Sequence, residues 1–182
     1  MVNNWSPGKP LDDRYKSKDI HSLVGRARQA WLEYAPMRLQ SADGGGRIYR
    51  KLGYGPLLDV FVLDMRSYRG ANDTNLGAAK PFLGREQLDW LKRELKASKA
   101  QWKVIAADMP IGLGVSDGEV SPGVMRWEAV ANGDPGPAQG RELEIAELLG
   151  FLREQQVRNF VWLTADVHYL SLIHISEPTR PY

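Results

Sequence analysis

Three apolar runs of strand length recur along the chain, and helical segments separate the later ones. The runs occupy residues 57–63, 102–107 and 160–164, and they are rich in aliphatic and aromatic side chains. Continuous apolar runs of this length are typical of strands in a sheet that helices or a second sheet cover. Strands that alternate with helices predict an α/β fold with a largely buried sheet.

The periodicity between these runs predicts the other elements. A hairpin is expected over residues 47–68, with Gly55 and Pro56 at its turn. Apolar residues at helical spacing predict three helices, over residues 22–34, 83–97 and 141–154. Ser22 is the expected N-cap of the first helix. The core is expected to contain Trp31, Trp90, Trp102 and Trp162.

Residues 111–139 contain many Gly and Pro residues and are interpreted as a long loop, a kind of segment that is often functional. Residues 170–182 have no clear periodicity, and they resemble the in-frame translation of a transposon-derived sequencing adapter. We therefore expect residues 170–182 to be an artefactual tail after a domain at residues 1–169. A genuine C-terminal segment is the alternative.

Composition excludes several classes of function. The 182 residues are 43% hydrophobic and 25% charged, which is typical of a folded domain with a core. The net charge is only +2 and the basic residues are interleaved with acidic ones, so no nucleic-acid-binding surface is expected. No apolar run approaches the roughly 20 residues that span a bilayer, and no signal peptide is visible. Without cysteine, a metal would need oxygen and imidazole ligands.

Two of the predicted strands end in acidic residues. Asp108 follows one strand, and Asp166 and His168 follow another. Ligands bind at the carboxyl ends of strands in open α/β sheets, and residues two apart on an extended chain point the same way. Carboxylate and imidazole together suit iron, manganese or zinc, and the carboxylate also suits calcium. Taken alone, the pattern fits a structural role equally well, with Asp166 capping a turn and His168 hydrogen-bonded locally.

Several separated motifs add to this pattern in a fixed order. They are Asn3-Asn4-Trp5 and the segments 64–69, 83–91, 132–137, 140–145 and 159–169. Together they resemble the metallophosphatase domain of the PhoD-like alkaline phosphatase/phosphodiesterase family. The resemblance implies an α/β fold that is the C-terminal part of a metallophosphatase-type sandwich, with two buried sheets flanked by helices. It also predicts a fragment truncated at both ends, because the family's acidic motif before the asparagines has no counterpart here.

The resemblance implies a metal-dependent phosphate-ester hydrolase that acts on a small-molecule phosphate ester, with calcium and iron as cofactors and a periplasmic or secreted location. Asp166 and His168 match the family's closing metal motif and are the implied catalytic and metal-binding residues. Asn4, with Asn3 as the alternative, matches an asparagine that follows the missing acidic motif. We expect the fragment to be inactive by itself. A non-catalytic α/β binding or structural module is the alternative.

Charged residues elsewhere have weaker claims to function. Arg26 and Arg28 on the first helix could hold phosphate through the guanidinium fork, although an exposed helix face is the simpler interpretation. A structural ion-pair cluster is expected from Asp64, Arg66 and Arg69. The enzyme hypothesis predicts that Asn4, Asp166 and His168 converge in one cleft. The structural hypothesis predicts that local backbone groups satisfy Asp166 and His168.

Overall fold

The computed structural model of the protein describes residues 2–36 and 47–167. In this part of the chain the elements are α1 (Ile20–Tyr34), β1 (Arg50–Tyr54), β2 (Leu58–Val62), α2 (Arg85–Ala97), β3 (Trp102–Ala106), β4 (Ser116–Ser121), β5 (Val124–Trp127), α3 (Glu142–Glu154) and β6 (Phe160–Leu163). The mixed α/β architecture, with two sheets flanked by helices, confirms the expected fold class. The predicted hairpin, helices and apolar strands are all present.

The larger sheet has the strand order β1-β2-β3-β6. β1 pairs antiparallel with β2, whereas β2, β3 and β6 are parallel to one another. Parallel strands end on the same side of a sheet. The loops that follow β2, β3 and β6 therefore meet at one edge, where ligands bind in α/β proteins.

One face of this sheet contributes to the hydrophobic core. Phe61 on β2 pairs with Ile105 on β3, which pairs with Trp162 on β6, so the three side chains share a face. Phe61 and Ile105 are fully buried in one cluster with the apolar residues of the two neighbouring helices. From α2 and α3 this cluster includes Leu88, Trp90, Leu91, Leu95, Ile145, Leu148 and Leu152. Their helical spacing is the signal that predicted these helices.

The opposite face of the sheet is exposed, which corrects the prediction of strands buried on both sides. Trp102 on β3 is 50% exposed and Leu163 on β6 is 55% exposed. Leu52, Tyr54 and Val161 on the same face are also exposed. The apolar runs were correctly assigned as strands, but among the described residues α2 and α3 cover only the first face. Trp102 is therefore not a core residue. Trp31, on α1, is also exposed, whereas Trp90 lies in the core.

Exposed apolar sheet faces promote association. We expect the isolated chain to self-associate and to bind a hydrophobic dye such as ANS. The double substitution Trp102→Lys and Leu163→Lys is expected to reduce both, while the melting temperature changes little because neither side chain is buried. Sedimentation velocity and dye fluorescence measure the two effects. A wild-type chain that is monomeric and does not increase the dye fluorescence would contradict the expectation.

The second sheet is the β4–β5 hairpin, in a segment that sequence reasoning interpreted as a loop. Strand β4 is polar and largely exposed, and β5 is only four residues long, so neither shows the apolar alternation that marks a half-buried strand. The missed signal is Pro122-Gly123, a two-residue turn with Gly123 at φ 76°. Two glycines on either side of the hairpin have a packing role. A Cβ atom at Gly114 or Gly133 would lie 2.9 Å from the ring of Trp127.

Helix α1 begins earlier than the sequence suggested. Asp19 is its N-cap and accepts a hydrogen bond from the backbone N–H of Ser22, so Ser22 is not the cap. Aspartate is among the residues preferred at this position, because its side-chain oxygen accepts from a free N–H group of the first turn. Ile20, which follows it, is the buried residue of this helix. Within the described residues, no helix combines the length and the apolar character needed to cross a membrane.

Helices α2 and α3 are joined on their solvent side by an ion-pair cluster. Glu147 on α3 accepts hydrogen bonds from Arg85, at 2.8 Å, and from Lys92, both on α2. Hydrogen bonds from Arg85 and Lys92 lower the pKa of Glu147 to about 2 from its usual 4.5. A carboxyl group with a lowered pKa stabilises the fold above its unfolded-state pKa and loses this contribution as the pH falls through the folded value.

Replacing Glu147 by glutamine is therefore expected to lower the free energy of unfolding at pH 7 by at most about 1 kcal/mol, because these groups are solvent-exposed. The difference from wild type should shrink as the pH falls from 4.5 towards 2. Urea unfolding at a series of pH values measures it. Glu154→Gln, at the end of the same helix, is the matched control and should leave the pH profile unchanged. A constant difference across this range would contradict the assignment.

Candidate active site at the carboxyl ends of the parallel strands

Arg66 joins the ends of three parallel strands. It lies in the loop after β2, and its Nε donates to Asp108 Oδ2, beyond β3, at 2.9 Å. Its Nη1 donates to Glu128 Oε1 at 2.9 Å, and its Nη2 donates to Asp166 Oδ2, beyond β6, at 3.3 Å. Arg66 is thus part of an ion-pair cluster, as expected, but its partners are Asp108, Glu128 and Asp166 rather than the expected Asp64. Asp166 was predicted as a metal ligand.

The charged side chains of this cluster are buried to different extents. The Glu128 side chain is 8% exposed, whereas those of Asp108 and Asp166 are 41% and 35% exposed. Burial alone would lower the pKa of Arg66, but its hydrogen bond to Glu128 and the charges of Asp108 and Glu128 outweigh this and raise it. Arg66 therefore stays a cation.

Asp64 has a different role from the other acidic residues. Its Oδ1 accepts hydrogen bonds from the backbone N–H groups of Arg66 and Ser67, so the carboxylate shapes the turn after β2. The side chain of Gln87 on α2 bonds both the N–H and the C=O of Asp64. Sequence reasoning missed Gln87, whose polar side chain on an otherwise apolar helix face was the available signal. This clamp fixes the backbone from which Arg66 extends.

The structure distinguishes between the two candidate asparagines. Asn4 adopts a left-handed backbone conformation, with φ 47°, which asparagine tolerates better than most residues. Its Nδ2 donates to Oδ1 of Asp117, on β4, at 2.6 Å. Asn3 is exposed, and its backbone C=O accepts from Lys9. Of the two asparagines, Asn4 is therefore the one whose side chain bonds to a distant part of the chain.

A continuous series of hydrogen bonds connects Asn4 with Asp166. Asp117 Oδ2 accepts from Asn72 Nδ2 at 2.9 Å, and Asn72 Oδ1 accepts from Arg69 Nη2. Arg69 Nη2 also donates to the backbone C=O of Glu128 at 2.7 Å, and the side chain of Glu128 accepts from Arg66. In order, this polar network is Asn4, Asp117, Asn72, Arg69, Glu128, Arg66 and Asp166.

Sequence reasoning did not identify Asp117, Asn72 or Glu128, because each lies in or beside a segment without apolar periodicity. Arg69, which was expected in an ion-pair cluster, is instead held mainly by an amide and a carbonyl oxygen. Burial lowers the pKa of Arg69 to about 9, and the nearby charges of Arg141 and Arg66 act in the same direction. Its buried guanidinium is a structural part of the network.

Asp166 differs from its predicted geometry in one respect. β6 ends at Leu163, and Asp166 has a left-handed backbone with φ 71°, so this stretch is not an extended strand. The rule that residues two apart point the same way does not apply there. The partner of Asp166 is the side chain of Arg66 rather than a local backbone group, unlike the expectation for a purely structural module. His168 lies outside the described residues.

The two arginines proposed for phosphate lie on the exposed surface of α1. Arg28 borders a cavity of about 710 Å³ between α1 and the N-terminal segment, and Arg26 does not. The lining is largely apolar and includes Trp5, Tyr15, Leu23, Val24 and Trp31. Trp5 and Ser67, which also borders the cavity, are chain neighbours of Asn4 and Arg66. The cavity therefore adjoins the polar network.

Calcium and iron, which the family resemblance implies, need several donors. Within residues 2–36 and 47–167, no group of three or more His, Cys, Asp or Glu side chains is arranged to hold a metal ion. The Oδ1 atom of Asn4 and the carboxylate of Asp166 are hard oxygen donors of the type that calcium prefers. These two groups are too few for a complete site.

Comparison with known proteins decides the family. A family model described as PhoD-like phosphatase matches residues 1–181. The chain belongs to the PhoD-like phosphatase family. Alkaline phosphatase D of Bacillus subtilis (strain 168) is 31% identical to it over an alignment of 179 residues. The match covers 88% of this chain and 29% of the relative. A solved structure of PhoD superposes with a TM-score of 0.62 at 27% identity, over 91% of this chain and 32% of that one.

This PhoD-like chain thus spans about a third of the length of the relatives that it matches. The match also extends into residues 170–182, which lie outside the described residues, and the adapter origin of that segment stays a prediction.

Proposed function

We propose that this chain supplies part of the active site of a metal-dependent phosphate-ester hydrolase, with Asn4, Asp166 and His168 among the ligands of calcium and iron. Membership of the PhoD-like phosphatase family supports hydrolysis of phosphate esters. One structural observation supports the assignment of Asn4 and Asp166, whereas that of His168 rests on the family resemblance. The polar network connects Asn4, at one end of the chain, with Asp166, at the other, at the edge where parallel strands end.

Each residue has a defined part in this proposal. When bound, the metals would lower the pKa of a bound water molecule and hold the phosphoryl oxygens. Arg66 donates a hydrogen bond to one of the two carboxylate oxygens of Asp166, which leaves the other for a metal. Asn4 contributes a neutral oxygen ligand. Arg28, beside the apolar cavity, is the better placed of the two arginines to contact the phosphate ester.

We also propose that the longer relatives supply ligands that this chain does not. The chain alone should therefore release negligible p-nitrophenol from p-nitrophenyl phosphate. A periplasmic or secreted location is proposed on the family relationship alone.

A chimaera tests the proposed function directly. Residues 2–169 of this chain would replace the matching segment of alkaline phosphatase D of Bacillus subtilis. We expect the folded chimaera to hydrolyse p-nitrophenyl phosphate in the presence of calcium and iron. Asp166→Asn or His168→Asn should lower kcat at least about 100-fold, because ligand loss removes metal-assisted chemistry.

Asp89→Asn, on the exposed surface of α2 and away from the cavity, is the matched control and should leave kcat unchanged. A folded, active chimaera whose kcat tolerates both ligand substitutions would overturn the assigned residues. A folded but inactive chimaera would favour the alternative of a non-catalytic module.

A further inference from the structure

The hydrogen bond between Asn4 and Asp117 determines which side of the Asn4 carboxamide is available to a ligand. A carboxylate only accepts hydrogen bonds, so the group that faces Asp117 must be the amide nitrogen. The amide oxygen then lies on the other side of the planar group. An amide oxygen is the atom that binds a hard cation, whereas an amide nitrogen does not.

Asp117 is itself held at both carboxylate oxygens. Oδ1 accepts from Asn4 at 2.6 Å and Oδ2 accepts from Asn72 at 2.9 Å. The carboxamide oxygen of Asn72 accepts from Arg69, so the orientation of Asn72 is fixed in turn. Arg69 is buried, which anchors this end of the series in the interior. Asp117 can therefore neither rotate nor exchange its partners without breaking a second hydrogen bond.

We propose that Asp117 is a positioning residue for the candidate metal site. It turns the Oδ1 atom of Asn4 towards the site. The hydrogen bonds along the rest of the network fix the position of Asn4 relative to Asp166, through Asn72, Arg69, Glu128 and Arg66. The part that concerns metal rests on the proposed function, whereas the orientation of Asn4 by Asp117 does not. The hairpin of β4 and β5 thereby has a role, because it carries Asp117 to the N-terminal segment.

The burial of its central members supports a positioning role for the whole network. Arg69 is 2% exposed and Glu128 is 6% exposed, and both are held by hydrogen bonds to other members of the series. Such outer partners fix the orientation of ligands, and their loss typically lowers metal affinity by about 10- to 100-fold. The effect on metal binding is therefore measurable even where Asp117 touches no metal.

The orientation is tested by nuclear magnetic resonance on the ¹⁵N-labelled chain. The order parameter of the Asn4 side-chain amide is compared in wild type, Asp117→Ala, Asp117→Asn and the control Glu119→Ala. Glu119 is an exposed acid on the same strand. We expect the order parameter to fall below about 0.6, the range of flexible groups, in Asp117→Ala only. Asp117→Asn keeps an acceptor for Asn4 and should retain most of the order, which also guards against misfolding of the alanine variant.

Metal affinity is measured by calcium titration calorimetry on the chimaera with alkaline phosphatase D, which supplies the other proposed ligands, carrying the same four versions of this chain. We expect Asp117→Ala to lower the affinity by about 10- to 100-fold, Asp117→Asn to lower it less, and Glu119→Ala to leave it unchanged. An Asn4 amide that stays ordered in Asp117→Ala would overturn the inference. A loosened amide with unchanged affinity would overturn its metal part. If the folded chimaera with the wild-type sequence binds no calcium, the proposed function fails instead, and the amide data still decide the orientation.

Discussion

Replacing Arg141 by methionine is expected to lower the free energy of unfolding by about 4 kcal/mol, because the change leaves several buried carbonyl groups without a donor. Arg141 is 1% exposed. Its Nη1 donates to the backbone C=O groups of Trp127, Glu128 and Ala129, and its Nη2 donates to that of Ala71. Methionine retains much of the apolar contact but donates no hydrogen bond.

The effect should be a loss of cooperative stability rather than a local change. Arg141 directly precedes α3. Its partners lie in the loop after β2 and at the end of β5 and just beyond it. One side chain therefore joins three parts of the chain. Urea unfolding followed by circular dichroism measures the loss. Arg126→Met is the matched control, since Arg126 donates a single 3.3 Å hydrogen bond to an exposed carbonyl and should cost less than about 0.5 kcal/mol. Equal losses for the two variants would contradict this account.

Replacing Arg66 by methionine is the second large change, with an expected loss of about 3 kcal/mol. Arg66 is the shared partner of Asp108, Glu128 and Asp166. Removing it leaves the buried carboxylate of Glu128 without its cation, and breaking one side of a buried ion pair costs far more than an exposed pair contributes. The same variant should loosen Asp166 and so separate it from the polar network.

Arg85→Met provides the comparison for Arg66. Arg85 also contacts two carboxylates, Asp89 and Glu147, but its side chain is 58% exposed and water can replace both partners. Its loss should cost less than about 1 kcal/mol. Unfolding of both variants at pH 7 measures the difference. If Arg66→Met costs no more than Arg85→Met, the Arg66 cluster is a solvated surface feature and not the structural centre of the site.

Apolar periodicity predicted most of the fold, and its failures have physical reasons. The strands β2, β3 and β6 and the helices α2 and α3 follow from residues that pack in one core. Strand β4 is polar and largely exposed, and β5 is only four residues long, so no apolar alternation marks this hairpin. Trp102 belongs to an apolar strand, but the sequence of a strand does not specify whether another layer covers each of its faces.

The candidate site was predictable only at its ends. Asn4 and Asp166 were found from the motif order, but the residues that connect them were not. Asp117, Asn72 and Glu128 are far apart in sequence, and their hydrogen bonds depend on how the loops fold against the sheet edge. The left-handed conformation of Asp166 also has no clear signal in its neighbours.

Metal binding by the chimaera with alkaline phosphatase D, in which the rest of the proposed ligand set is present, is the most direct test of the assignment of Asn4, Asp166 and His168 as ligands. Terbium, which replaces calcium and luminesces by energy transfer from nearby tryptophan, would be titrated into the chimaera with the wild-type sequence and into its variants Asn4→Ala, Asp166→Ala, His168→Ala and the control Asp89→Ala. Trp5 lies next to Asn4, so a bound ion should be sensitised. We predict saturable binding that each of the three ligand substitutions weakens and that Asp89→Ala, on the exposed surface of α2, leaves unchanged. Binding that is absent, or that all four substitutions affect equally, would contradict the account.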